Sequence, residues 1–82
     1  MENKEIAFFV KVPETPNVSY MMGFRKTPSY LADDIRNRVS VKNNIPLKNV
    51  QIYNSNGIEL DYNKTIAENG IVPMEQLVAV FS

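Results

Sequence analysis

Cysteine and histidine are both absent from the 82 residues. Thiol nucleophiles, disulfides, Cys/His zinc sites and histidine acid–base chemistry are therefore excluded together. What remains for chemistry is a handful of carboxylates and one polar loop. Asp33 and Asp34 are adjacent, but neighbours on a helix point about 100° apart and do not converge on one substrate atom. They read as first-turn acids that favour the helix dipole. Glu59 and Asp61 straddle Leu60 on a short strand and read as its solvated face. Asn54-Ser55-Asn56-Gly57 is not followed by the Lys-Ser/Thr of a phosphate-binding loop, so it reads as a β-turn. No set of residues supplies a nucleophile, a base and a shared pocket. The expectation is a protein that is not an enzyme, with no cofactor, no metal and no small-molecule substrate.

Length and charge narrow the class further. A chain of 82 residues falls below the usual ~100–200 per domain, so a single domain over residues 1–82 is expected. Nine basic and nine acidic residues cancel. They form no Lys/Arg stripe of the kind that binds nucleic acid or an anionic membrane. The longest apolar runs, Ile6–Val10 and Leu77–Phe81, fall far short of the ~20 residues that cross a bilayer. Met1–Glu5 lacks the basic start and apolar centre of a signal peptide, so no leader is expected. A cytoplasmic or other reducing intracellular compartment is compatible with zero cysteine but not demanded by it.

The elements that must position any functional residue can be read in order. Glu5–Val12 is rich in β-branched and aromatic residues and predicts a strand with Ile6, Phe8, Val10 and Val12 on one face. Pro13–Asn17 predicts a turn. Val18–Phe24 predicts the second arm of a hairpin, with Val18, Tyr20, Met22 and Phe24 sharing a face. Met21-Met22 has the character of an adaptable binding surface, but alternation makes one of the two core. A helix is predicted over Pro28–Lys42, capped by Thr27, with Leu31, Ile35 and Val39 as its buried stripe. Asp34 and Arg38 are spaced for an i,i+4 ion pair. Asn43-Asn44 suits a left-handed cap, and Pro46 ends helical geometry at Ile45. Val50–Tyr53 predicts a strand and Ile58–Leu60 a very short partner. Thr65-x-x-Glu68 has the spacing of a capping box, closed by Asn69-Gly70, and predicts one helical turn. Leu77–Phe81 predicts the last strand. The order β-β-α-β-β-β points to an α+β fold, a mixed sheet of four to five strands with one main helix on one face.

That order, with several residues at matching offsets, resembles the ubiquitin-like (β-grasp) superfamily. Phe8-Phe9-Val10-Lys11-Val12 is similar to the family's first strand, and Ile45-Pro46 to its Ile-Pro step after the helix. Ile52, Leu60, Ile66, Ile71 and Leu77 fall where family core residues fall, allowing one inserted residue near Gly57. Thr65-Ile66-x-x-Asn69-Gly70-Ile71 followed by Leu77-Val78 resembles the family's closing signature. Phe8-x-Val10-x-Val12 with Pro16-x-Val18-x-Tyr20, and Asn56-Gly57-Ile58, resemble the ubiquitin-fold modifier. The length is similar to that of the small ubiquitin-like component of bacterial type VII secretion. Conjugated members of the family end in a glycine tail, which Phe81-Ser82 does not provide. On this resemblance the chain as given is not expected to be conjugated.

The function so implied is a non-catalytic interaction module or adaptor subunit that binds another protein non-covalently. The alternative is a modifier truncated before its glycine tail. Alternation in the last strand sends Leu77, Ala79 and Phe81 inward and Val78 and Val80 outward. The same parity puts Ile52 inside and Tyr53 outside. The resemblance places the last strand beside the third. Tyr53, Val78 and Val80 then form an exposed apolar patch where ubiquitin has its main recognition surface, with Lys11 and Gln51 as its polar rim. The competing explanation is a central strand that is apolar on both faces because β-branched residues suit strands.

Overall fold

The computed structural model describes residues 4–82; Met1–Asn3, part of the segment read for a leader, lie outside them. β1 (Ile6–Thr15) and β2 (Val18–Lys26) form an antiparallel hairpin. Phe8, Val10 and Val12 are buried while Lys11 is exposed, the period of two that a half-buried strand requires. Phe8 pairs with Phe24 across the ladder, and their rings stack with centroids 5.3 Å apart. Both strands run further than predicted, and only Pro16-Asn17 remains as the turn. Pro13 pairs with Ser19 and Thr15 with Val18, so Glu14 is the extra residue of a bulge. The bulge absorbs the length that the composition suggests is a longer turn.

The main helix, α1, covers Asp33–Asn43 rather than starting at Pro28. Residues 28–32 spend their backbone groups on another segment. Ala32 N–H donates to the Lys64 carbonyl (2.8 Å), and the Tyr30 and Pro28 carbonyls accept from Ile66 and Ala67. Leu31 and Thr65 make an isolated antiparallel bridge. A backbone already bonded sideways is not free to close helical turns. Thr27 therefore caps nothing; its hydroxyl lies 3.4 Å from that of Ser29, and the N-cap position is held by Ala32. Leu31 is 50% exposed, against the expectation that it is core, and Ala32 takes the buried place. Ile35 and Val39 are fully buried as expected. Arg36 pairs with Asp33 at 3.0 Å, whereas the Arg38 guanidinium sits 5.8 Å from the Phe24 ring centroid instead of pairing with Asp34. Asn44 closes the helix with φ 56°, and the Ile45 N–H reaches back to Ser40 O.

A 3-10 turn (Leu47–Asn49) leads into β3 (Val50–Tyr53), and β4 (Gln76–Phe81) completes the sheet. The order is β2-β1-β4-β3, with β1 and β4 parallel and the other pairs antiparallel. The sheet has four strands, and the element order is β-β-α-β-β. Ile58–Leu60 makes one bridge, Tyr53 to Glu59, not a fifth strand. Leu60 N–H donates to Ile52 O at 2.9 Å, but the next ladder position is lost. The Ile52 N–H donates instead to the Tyr62 hydroxyl, also at 2.9 Å. A side chain stands in for the strand.

The capping box forms reciprocally: Thr65 N–H donates to Glu68 Oε1 and Glu68 N–H to Thr65 Oγ1, both 3.0 Å. It closes one turn through Asn69 N–H to Thr65 O, too short to count as a helix. Leu60, Ile66 and Ile71 from this long connection join Phe8, Val10, Ile35, Val39, Ile52 and Leu77 in a single core between sheet and helix. Phe81, expected inside, is half-buried at the core's margin.

Candidate functional site

The face of the sheet turned away from α1 carries the residues that the strand parity sends outward. Register fixes their neighbours. Lys11 pairs with Met21 on one side and with Val78 on the other, and Val78 pairs with Tyr53. Met21, Lys11, Val78 and Tyr53 therefore form one row across all four strands, roughly 14 Å long at about 4.8 Å per strand step. Beside it, Phe9 pairs with Gly23 and with Gln76. Val80 pairs with Gln51 at the far end of β4.

All five sequence-predicted patch residues lie on this face. Val78 and Val80 are 36% and 42% exposed, Tyr53 is half-buried and Lys11 is exposed. Gln51 is half-buried, and its amide donates to the Ser82 hydroxyl at 3.1 Å, so it is tied down rather than free. Lys11 is not in the ion pair found among the described residues, which is Arg36 with Asp33. Phe9 was not foreseen on this face, and Met21, the member of the Met21-Met22 pair that lies outside the core, joins it. Their signal was available, because a face that buries Phe8, Val10 and Met22 must send Phe9 and Met21 the other way. Met21 is 47% exposed. A Cβ placed on Gly23 would sit 3.9 Å from the Phe9 ring, so the aromatic covers the bare backbone of its cross-strand neighbour.

The loops bordering β3 and β4 are pinned next to this row. Asn54 Oδ1 accepts from the N–H groups of Asn56 and Ile58, and Asn54 N–H donates to Ile58 O. Glu75 then ties this turn to the segment before β4. Its Oε2 accepts from the Ser55 N–H (3.3 Å) and hydroxyl (2.9 Å), and its Oε1 from Val72 N–H (3.0 Å). Tyr53, Gly57, Gln76, Val78 and Val80 line a shallow depression there.

Of the carboxylates weighed for chemistry, Asp33, Glu59 and Asp61 are engaged in structural hydrogen bonds. Asp33 holds Arg36 and Asn37, and Asp61 caps the Asn63 N–H. Glu59 accepts from the Tyr62 hydroxyl at 2.6 Å. Burial, with that hydrogen bond to Glu59, pushes the Tyr62 phenol up to about 12, so it stays a donor at neutral pH. The Arg36 guanidinium lies 4.0 Å from its ring centroid. The described residues hold no cluster of three potential metal ligands and no helix long and apolar enough to cross a membrane.

The fold is that of the ubiquitin-like β-grasp proteins. The ubiquitin-like domain of an Arabidopsis thaliana protein is 24% identical, with 95% of this chain and 78% of that chain covered at a TM-score of 0.76. Caldiarchaeum subterraneum ubiquitin is 12% identical, with 95% and 94% covered at 0.81. A design based on ubiquitin gives 0.77 at 14% identity, with 94% and 88% covered. No family model and no curated protein sequence matches the chain.

Proposed function

We propose that this chain is a non-catalytic protein-interaction module, an adaptor that engages its partner non-covalently through the outer face of the sheet. The carrying observation is the row Met21–Lys11–Val78–Tyr53, extended by Phe9 and Val80 on the face opposite α1. An apolar band around an aromatic has the make-up of a binding hot spot. Lys11 in its middle calls for a carboxylate on the partner, so the partner surface is apolar with an acidic side chain facing β1. A solved pParkin–pUb–UbcH7 complex includes a chain with a segment of the same fold (TM-score 0.78, 95% of this chain and 23% of that chain covered), which supports use of this fold in multiprotein assemblies. Against an enzyme stand the lack of histidine and cysteine and the engagement of Asp33, Glu59 and Glu75 in structural hydrogen bonds.

The test is affinity capture with three variants side by side. Val80→Arg and Tyr53→Ala should lose a partner retained by the parent. Val41→Arg, on the exposed side of α1 (Val41 is 79% exposed), should keep it. A partner held equally by all four proteins, or lost only with Val41→Arg, overturns the outer-face assignment.

A further inference from the structure

The chain contains two Asn-Gly steps, Asn56-Gly57 and Asn69-Gly70. This dipeptide is the most prone of all to spontaneous deamidation, because glycine has no side chain to hinder attack by its amide nitrogen. In both steps the glycine has positive φ, 78° and 73°. Both glycine N–H groups are also hydrogen-bonded at 2.9 Å, to Asn54 O and Ala67 O. Sequence and backbone thus treat them alike. The asparagine side chains are not alike.

Asn69 is locked. Its amide donates to the Asp61 and Thr65 carbonyls, both at 2.9 Å, and its Oδ1 accepts from Asp61 N–H at 2.8 Å. Bringing its Cγ onto the Gly70 nitrogen means breaking these bonds, with a longer one to Lys64 O (3.5 Å), and opening the connection between Leu60 and Ile71. Asn56 is exposed, and among the described residues only its backbone N–H is engaged, by Asn54 Oδ1 at 2.8 Å. Space around Gly57 is open, with nothing within 4 Å of where a Cβ would sit.

We infer that Asn56 is a deamidation site built into the turn that borders the outer-face row, and that the fold protects Asn69 from the same reaction. The Gly57 nitrogen loses its proton and attacks Asn56 Cγ. A C–N bond forms, the bond from Cγ to Nδ2 breaks, and ammonia leaves, giving a succinimide. Water then opens the ring to aspartate or to isoaspartate, in which the main chain runs through the former side-chain carbonyl. Either product adds one negative charge close to Glu75, which already tethers Ser55. The isoaspartyl product also lengthens the backbone within the Asn54–Ile58 turn, displacing the Gly57 N–H from Asn54 O and disturbing the bond from Asn54 to Ile58 beside Tyr53. The chemistry does not depend on the docking reading, but it would remodel one edge of that surface with age.

The native chain and the urea-unfolded chain are aged in parallel in mildly alkaline buffer. Lys48 and Lys64 put the two steps in separate tryptic peptides, whose gain of about one dalton is followed by mass spectrometry. Isoaspartate is quantified by enzymatic methyl transfer. In the unfolded chain both steps should convert at similar rates. Folding should slow Asn69 by at least about tenfold, since its reaction waits on local opening, and slow Asn56 by only a few-fold. Asn56→Gln should abolish conversion in its peptide. Asn54→Ala, which releases the Asn56 N–H, should accelerate it. Equal protection of the two asparagines in the folded chain, or faster conversion at Asn69, overturns the inference.

Discussion

Replacing Tyr62 by Phe removes one oxygen and should destabilise the domain far more than an exposed tyrosine normally would. That oxygen accepts the Ile52 N–H at 2.9 Å and donates to Glu59 at 2.6 Å. Ile52 is fully buried, so its orphaned N–H has no water to turn to. Leaving a buried donor unsatisfied costs about 1–3 kcal/mol. The Phe ring keeps its place under Arg36, so the loss isolates the hydroxyl. In a domain of this size about 1 kcal/mol moves the melting temperature by roughly 4–8 °C, so a drop of about 10 °C is expected. The pH dependence adds a second signature. The folded-state pKa of about 12 lies above the ordinary 10.0, so the protonated phenol is the form the fold prefers. Its contribution is complete below about pH 10 and is lost as pH rises through about 12. Tyr62 is only half-buried, so screening reduces the loss to about 1 kcal/mol. Urea unfolding of parent and Tyr62→Phe in steps from neutral to about pH 11.5 isolates this contribution, because the two proteins differ only in that hydroxyl. The stability gap should narrow with rising pH. Equal stability at neutral pH, or a gap that widens with pH, would refute the account of Tyr62 as a stand-in strand.

Other outcomes follow from the same geometry. Ile35→Ala should cost about 2–5 kcal/mol as a buried aliphatic truncation, whereas Leu31→Ala, half-exposed, should cost about 1 kcal/mol or less; paired thermal melts decide it. Thr65→Ala breaks one arm of the capping box and should cost about 0.5–2 kcal/mol, read by the same melts. Tyr53→Ala should shift the melting temperature little while weakening partner binding by ~2 kcal/mol, measured by calorimetry once the partner is in hand; unfolding without a selective binding loss would count against the patch.

Strand parity, the helix's Ile35–Val39 core contact, the left-handed Asn44 cap and the Thr65–Glu68 box were all legible in the sequence. Each depends on residues a few positions apart, and local sterics or hydrogen bonding fix them. The same parity, read fully, also gives Phe9 and Met21. Three features were not legible, for a common reason. The helix starts at Asp33 because residues 28–32 bond to residues 64–67, more than thirty positions away. The fifth strand fails because a phenol from Tyr62 takes the Ile52 N–H that Ile58–Leu60 was expected to share. The Asn56 and Asn69 steps look identical until Asp61 and Thr65 fold over one of them. Local sequence states what a backbone group prefers; only the tertiary structure decides which distant partner reaches it first.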